Sequence, residues 1–271
     1  GAGTLSPALV RPARAALAAS RALTIDRHVL EINGRAAEVY RLGPPGGGSG
    51  LDFDAEGQFD VSLVSKIAEP TLIHWHGLTP PWAMDGVPNN PAALLEPGKS
   101  RDYHFPVGPG GTHWMHAHTL QEQQLLAAPL IVRTAEDRAQ DEQDVVIMLH
   151  DFSFSTPEAL LAGLQGGAGH GDMPMDHSKM NHGMTMNHGA ANQAMKHDMP
   201  MDGMMMGMDL NDISYDAYLA NDRTLDDPEV VHIEKGGRIR LRIINGAAST
   251  AFSIDLGGLS GMAIAVDGRP I

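Results

Sequence analysis

The sequence contains no cysteine among its 271 residues. This absence excludes disulfides, thiolate zinc sites, thiol catalysis and cysteine-ligated copper within these residues. Aromatic residues are scarce at 5%, and no apolar run reaches the roughly 18 residues of a membrane span, so no span is predicted. The formal net charge is -14 and no Lys/Arg cluster offsets it, so a nucleic-acid partner is not expected, because backbone phosphates would be repelled.

Glycine and proline are abundant instead, with 31 and 18 residues, and short segments rich in Val, Ile and Leu recur between them. This pattern is typical of all-β proteins. Strands are predicted at the segments that share it, namely 23–32, 59–63, 73–76, 103–107, 112–118, 129–132, 145–149, 230–233, 239–243 and 263–266. Their spacing and the Gly/Pro-rich turns between them predict β-sandwiches.

Changes in composition divide the chain. Residues 1–20 are expected to form an N-terminal arm, and 21–135 to form one complete sandwich. The charged segment 136–143 predicts a linker, followed by a second β-domain at 144–271. Segment 166–208 interrupts this second domain. Without the interruption it is shorter than the roughly 100 residues of a sandwich, so it is expected to be incomplete.

Segment 166–208 contains 12 of the 16 methionines and 5 of the 14 histidines. Its low complexity predicts disorder. Methionine clusters can fill gaps in a core or form adaptable surfaces, but Asp, His and Gly surround these methionines. Thioether sulfur is a soft ligand that favours cuprous copper, so the segment is predicted to gather copper. The candidate ligands are the pairs Met173/Met175 and Met199/Met201.

Two His-x-His pairs are the main candidates for a metal site. His74 and His76 end the apolar segment TLIHWHG, and His116 and His118 end GTHWMHAH. In a strand, residues i and i+2 lie about 6.6 Å apart on one face, so each pair presents two imidazoles together. Imidazole suits copper, zinc, iron or nickel, and the methionine-rich segment favours copper among them.

The other histidines outside the methionine-rich segment are predicted to have no metal. His113 has the opposite strand parity to the second pair and is expected to face away from it. His104 is expected to be solvated. Three further histidines are isolated in the sequence, namely His28, His150 and His232.

The segments IHWHGL, MDGVP, GTHWMHAH with QEQ after it, NDISYDAYLANDRTL, GGRIRLRIINGA and AVDGRPI resemble the multicopper oxidases. The resemblance is greatest to the bacterial copper-resistance, copper-efflux and laccase types, and it covers 21–271 outside the insert. It implies cupredoxin-like Greek-key sandwiches and a periplasmic or secreted location. It also implies a trinuclear copper cluster held by eight histidines from four His-x-His motifs, of which this chain would supply half.

Carried over by position, His74 resembles a ligand of the type 2 copper, and His76, His116 and His118 resemble ligands of the type 3 pair. Asp85 resembles an acidic residue that delivers protons to oxygen, although an Asp in this position can simply shape the Asp-Gly turn. The blue type 1 copper of the family needs a cysteine, so it is expected from a C-terminal cupredoxin domain outside this chain. The implied reaction oxidises cuprous ions or phenolic compounds and reduces dioxygen to water with four electrons. This chain alone is therefore not expected to be an oxidase.

Two other interpretations stay open. A cupin motif is matched by Gly110, His116, His118 and Glu122, but Pro129 occupies the place of its next glycine and HWHG is left unexplained. A non-enzymatic protein for copper storage or copper tolerance would also explain the methionine-rich segment. It would need neither the eight cluster histidines nor a cysteine-containing motif.

Overall fold

The computed structural model describes residues 20–88, 92–166 and 213–271. The chain divides into two compact units, one formed by residues up to 154 together with 215–271, and the other by 155–214. In the second unit the structure describes a helix at Pro157–Gly166. No helix in the described part of the chain is both long and apolar enough to cross a membrane.

The first unit consists mostly of β-strands. In chain order they are β1 (Arg21–Ile32), β2 (Arg35–Gly43), β3 (Leu51–Asp54), β4 (Gln58–Ser65), β5 (Ile73–His76), β6 (Ser100–Pro106), β7 (Gly111–Ala117), β8 (Ala127–Arg133), β9 (Gln143–Phe152), β10 (Ala217–Ala220), β11 (Ile239–Asn245), β12 (Ala265–Val266) and β13 (Arg269–Pro270). A short helix, α1, spans Ala135–Ala139, and the helix at Pro157–Gly166 is α2. Two 3-10 helices cover Trp82–Met84 and Leu120–Gln124.

The strands β1 to β8 form two four-stranded sheets, in the orders β2-β1-β4-β6 and β3-β8-β7-β5. Alternating apolar residues of both sheets form one core. At its centre Phe59 stacks on Phe105 with ring centroids 4.6 Å apart, and the fully buried Trp75 contacts Phe59 edge-on at 4.7 Å. This pair of sheets is the predicted sandwich, and the all-β, cupredoxin-like fold class is confirmed.

Most predicted strands are present, and β5 has the predicted bounds. Strands β2, β3, β10 and β13 were not predicted. The predicted strand at 230–233 is wrong, because this segment is irregular and its apolar side chains are exposed. Propensity favoured a strand there, but a strand forms only where a neighbour accepts its hydrogen bonds.

Strands β9, β10 and β11 form a three-stranded sheet, and β12 pairs with β13. The buried Arg242 of β11 donates to the carboxylate of Asp144 at 2.9 Å and to the hydroxyl of Thr112, in β7, at 3.0 Å. Burial is the main cause that lowers the pKa of Arg242, and nearby Asp137 opposes it. The hydrogen bond to Asp144 lies within the three-stranded sheet, whereas the one to Thr112 connects this sheet to the second His-x-His strand.

The predicted linker 136–143 includes most of α1. Thr134 caps this helix by accepting from the backbone N–H of Asp137, and the Asp137 carboxylate accepts from the backbone N–H of Thr134. This reciprocal cap explains why a charged segment without large apolar residues forms a helical turn. The domain boundaries predicted around it stay a prediction.

Candidate metal centre

Strand β5 places His74 and His76 on the face opposite to the core. Ile73 and Trp75 are fully buried in the sandwich, so strand alternation directs the two imidazoles outward together. The strand ends at His76, and the next residue, Gly77, has a positive φ of 90°.

Strand β7 lies antiparallel to β5 and brings the second pair beside the first. His116 is paired directly with His74 in the register. His118 follows the end of β7, and its backbone N–H donates to the carbonyl of Leu72 at 2.9 Å. The hydrogen-bonding pattern of two neighbouring strands therefore brings together the four histidines that the sequence placed in two separate motifs.

The four imidazoles form one cluster. The ring centroids of His74 and His116 are each 5.6 to 5.7 Å from those of the other three histidines. Ring nitrogens of His74, His76 and His116 all lie within 4.8 Å of one another, a spacing at which they could hold a metal ion. His76 and His118 are exposed, whereas His116 is only 6% exposed.

Contacts of the Nδ1 atoms with oxygen acceptors orient two of these rings, and the hydrogen bond of the His116 Nδ1 is to the backbone carbonyl of Ala117 at 3.2 Å. The Nδ1 of His74 lies 2.8 Å from the backbone carbonyl of Asp85, and the Nδ1 of His116 lies 2.8 Å from a carboxylate oxygen of Glu122. A ring nitrogen that donates to such an acceptor carries the proton, so the opposite nitrogen, Nε2, is left as the lone-pair donor. Among the described residues, the Nε2 of His116 is buried and has no hydrogen-bond partner.

The cluster suits a metal electrostatically as well. Burial lowers the pKa of His74 and of His76, and neighbouring histidines lower both further. Imidazole binds metal in its neutral form, so lowered pKa values keep the ligands available at neutral pH. The imidazoles of His74 and His76 are neutral at neutral pH, and the buried Nε2 of His116 has no hydrogen-bond partner among the described residues. This set of nitrogen donors fits copper.

Asp85 lies in the loop that begins with the 3-10 helix Trp82–Met84 and crosses beside β5. Its carboxylate Oδ1 is 3.4 Å from the Nδ1 of His74. The carbonyl of Met84 accepts from the indole N–H of Trp75 at 3.0 Å, which also holds this loop against the strand. Gly86 has a φ of 78°, and a side chain there would collide with the backbone of Ile73. The sequence-predicted Asp85 is thus beside the histidine cluster although it lies outside the strand.

Two residues beside the cluster, Trp114 and Glu122, were not predicted to belong to this centre. Trp114 stacks on His116 with ring centroids 4.1 Å apart and planes 16° apart, and its centroid is 5.0 Å from that of His76. Glu122 was considered only as a cupin ligand. The available signal was an acidic residue four positions after His118, but a regular strand would not return it to the ring of His116. The 3-10 helix Leu120–Gln124 does so.

The position of Glu122 argues against the cupin interpretation. Its carboxylate contacts the Nδ1 of His116, on the side of the ring away from the free Nε2. A metal ion bound by that Nε2 would therefore not meet the Glu122 carboxylate in this arrangement. His74 and His76, which the cupin motif leaves unexplained, are instead within the cluster.

The other histidines differ in how well they match the predictions. His104 is solvated as predicted, with a side chain 65% exposed beside Asp60. The ring of His113 occupies the space that a Cβ on Gly77, Gly111 or Gly268 would need, and burial and then His76 lower its pKa. His150, isolated in the sequence, is 5% exposed, and its Nδ1 is 3.1 Å from the carbonyl of Gly246.

The candidate copper-gathering residues Met173, Met175, Met199 and Met201 lie outside the described residues, as does most of segment 166–208. The N-terminal arm predicted at 1–20 lies outside them as well, except for residue 20.

Comparisons with known proteins identify related sequences. A sequence profile of the multicopper oxidase family matches residues 47–137, which include all four histidines. The chain is 32% identical over 260 residues to copper resistance protein A of Escherichia coli, covering 91% of this chain and 42% of that protein. It is 32% identical over 216 residues to multicopper oxidase MmcO of Mycobacterium tuberculosis, covering 78% of this chain and 39% of that protein.

Solved structures show the same fold. A blue copper oxidase from Nitrosomonas europaea matches with a TM-score of 0.55 at 22% identity, covering 83% of this chain and 60% of that one. Lac15 from a marine microbial metagenome matches with a TM-score of 0.61 at 22% identity, covering 93% and 54%. The chain spans about two fifths of the length of the two curated relatives named above. By its motifs and its relatives, the chain belongs to the multicopper oxidase family.

Proposed function

We propose that this chain supplies half of a trinuclear copper cluster in an oxidase that reduces dioxygen to water with four electrons. The observation that carries the proposal is the facing arrangement of the two His-x-His pairs, in which His116 presents a buried Nε2 that has no hydrogen-bond partner among the described residues. In this proposal His74 binds the type 2 copper, and His76, His116 and His118 bind the type 3 pair. When bound, the copper ions transfer electrons from the substrate to dioxygen.

The half-cluster role is supported by the exposure of the site. His76 and His118 are exposed, whereas His74 is partly buried and His116 is buried. Ligands on the exposed side are therefore free to meet histidines from elsewhere. We propose that a C-terminal cupredoxin domain supplies them, together with the type 1 copper, and that the protein acts in the periplasm or after secretion.

The residues of this chain would hold and orient the copper ligands and move protons. The Asp85 carbonyl fixes the ring of His74, and its carboxylate lies 3.4 Å from the same Nδ1. Reducing dioxygen to water consumes four protons, and a carboxylate beside the cluster is placed to relay them. Asp85 thus has two separable roles, since the backbone carbonyl orients the ring while the side chain carries protons.

The experiment for the cluster uses the full-length protein, which includes the C-terminal cupredoxin domain proposed above. This protein is stripped of copper and reloaded. Alanine is substituted at His74, His76, His116 or His118, and the exposed His104 gives the matched control. Copper content and oxygen uptake with cuprous ions and with a phenolic substrate are measured. Each cluster variant should lose copper and oxygen uptake, while H104A should keep both. Copper content that survives all four substitutions together would refute the proposal.

The same experiment separates the oxidase from the alternative function. A copper-storage or copper-tolerance protein would bind copper through these histidines without consuming oxygen. Full copper loading of the wild-type protein with no substrate-dependent oxygen uptake would therefore favour storage.

The role of Asp85 is tested by D85N. Asparagine keeps the backbone carbonyl that fixes His74 but removes the proton-carrying carboxylate. Copper content should stay at the wild-type level, while oxygen uptake should slow by roughly 10²-fold or more, the range for loss of a positioned acid or base. Unchanged turnover between acidic and neutral pH would return Asp85 to the role of a turn residue.

We further propose that cuprous ions are the preferred substrate, because the methionine-rich segment 166–208 binds them. The support comes from its composition, because thioether ligands prefer cuprous copper. Deleting the segment should spare the fold, since shortening a loop costs little. It should reduce the oxidation of cuprous ions more than that of a phenolic substrate. Equal loss of both activities would count against this substrate.

A further inference from the structure

The ring of His116 is held from two directions. Its Nδ1 lies 2.8 Å from the Glu122 carboxylate, and the Trp114 indole is stacked on its face with centroids 4.1 Å apart. The same Nδ1 also donates a hydrogen bond to the backbone carbonyl of Ala117 at 3.2 Å. A ring constrained in this way has one nitrogen left for a ligand, the buried Nε2.

We propose that Glu122 is a positioning residue of the copper site, which fixes His116 with its proton on Nδ1 and presents Nε2 to the metal. This inference rests on the proposed function. Glu122 would touch neither copper nor dioxygen, and would act only through the ring that it orients. It therefore differs in kind from Asp85, whose carboxylate is proposed to move protons.

The two directly paired histidines differ in their distance from a carboxylate. The hydrogen bonds of both Nδ1 atoms are to backbone carbonyls, that of Asp85 for His74 and that of Ala117 for His116, but the carboxylate of Glu122 lies 2.8 Å from the His116 Nδ1, whereas that of Asp85 lies 3.4 Å from the His74 Nδ1. A carboxylate beside the second nitrogen of a metal-binding imidazole raises the basicity of the ring as a ligand. The nearer carboxylate should therefore strengthen copper binding at His116 more than the Asp85 carboxylate does at His74.

The local structure explains why Glu122 reaches this ring. The chain leaves β7 at Ala117 and turns into the 3-10 helix Leu120–Gln124. This helix ends at Leu125, which has a left-handed φ of 67° and is buried. The turn returns the Glu122 side chain, 29% exposed, toward the end of the strand that carries His116.

The test compares E122A and E122Q in the intact protein, with E31Q as the control. Glu31 is an exposed residue of β1, so E31Q removes one negative charge away from the cluster. Copper is loaded, and its retention against a competing chelator is measured. E122A should weaken copper binding by about 10- to 100-fold, the range for loss of a hydrogen-bond partner behind a metal-bound histidine. E122Q, which keeps a neutral acceptor, should lie between E122A and wild type, and E31Q should match wild type.

A second measurement separates positioning from a general contribution to folding. Thermal unfolding is followed for each variant with and without copper, because a ligand that binds only the folded state raises its stability in proportion to its affinity. A positioning role predicts that E122A loses most of the copper-dependent increase in Tm. If E122A instead lowers the Tm of the copper-free protein and retains copper as wild type does, Glu122 is only structural and the inference is wrong.

The outcomes also distinguish this inference from the proposed function. If E122Q loses as much copper as H116A, Glu122 is itself a ligand and the positioning role is refuted. If wild-type protein binds copper and consumes oxygen while E122A retains copper equally well, only this inference fails. If wild-type protein holds no copper at the four histidines, the proposed function fails and the inference fails with it.

Discussion

Gly86 sets the distance between the Asp85 loop and the first His-x-His strand. Its φ is 78°, and a Cβ at this position would lie 2.6 Å from the carbonyl carbon of Ile73, and closer still to the carbonyl oxygen. An ordinary van der Waals contact begins at 3.4 Å, and because the carbonyl oxygen is nearer than the carbon, the loop in G86A must move away by more than about 0.8 Å. That shift would stretch the 2.8 Å contact between the Asp85 carbonyl and the Nδ1 of His74 to more than about 3.6 Å, beyond hydrogen-bond range.

The cost of G86A has two parts. A non-glycine residue in the left-handed region costs about 1–2 kcal/mol. The displaced loop would also strain the hydrogen bond from the buried Trp75 indole to the Met84 carbonyl, and an unsatisfied buried donor costs about 1–3 kcal/mol. G86A should therefore destabilise the copper-free protein by roughly 2–5 kcal/mol. It should also weaken copper binding, because His74 loses the acceptor that orients it.

The matched control is G34A. Gly34 has a φ of 76°, and a Cβ there would have no atom within 4 Å, so this variant carries the backbone strain without the collision. Denaturant unfolding and copper retention are measured for both variants. G34A should lose only about 1–2 kcal/mol and bind copper normally. If G86A matches G34A in both assays, the loop does not depend on this close approach and the reasoning is refuted.

Two further predictions concern buried polar groups. The carboxylate of the buried Asp151 accepts hydrogen bonds from the backbone N–H groups of residues 248–250 at 2.9 to 3.1 Å. D151A should therefore lower the free energy of unfolding, measured with a denaturant, by at least about 3 kcal/mol. A decrease below about 1 kcal/mol would contradict this account. Burial is the main cause that lowers the pKa of His74, His76 and His150 below the ordinary 6.5. The unfolded chain therefore takes up these protons first, and the copper-free protein should keep its stability above about pH 7.5 and lose it as the pH falls below 6.5. Unfolding midpoints measured from about pH 5 to 8 check this, and a flat profile would show that these histidines do not titrate differently on folding.

The sequence predicted the β-sandwich and the shared face of the histidines in each His-x-His pair, because both depend on the alternation of residues along a strand. In TLIHWHG, the apolar Ile73 and Trp75 alternate with His74 and His76, so the burial of one set determines the face of the other. The same reasoning failed where a strand depends on its partners. Val230 and Val231 have high strand propensity, but they are exposed in an irregular segment, which no local pattern reveals.

The sequence by itself therefore determined the fold class, the two His-x-His pairs and, through the resemblance it carries, the family. Only the tertiary structure decided how the rings are held. The carbonyl of Asp85 reaches His74 because the loop approaches β5 closely at Gly86, and the carboxylate of Glu122 reaches His116 because a 3-10 helix reverses the chain. Such contacts depend on the path of the backbone between elements, whereas alternation along a strand is already present in the order of the residues.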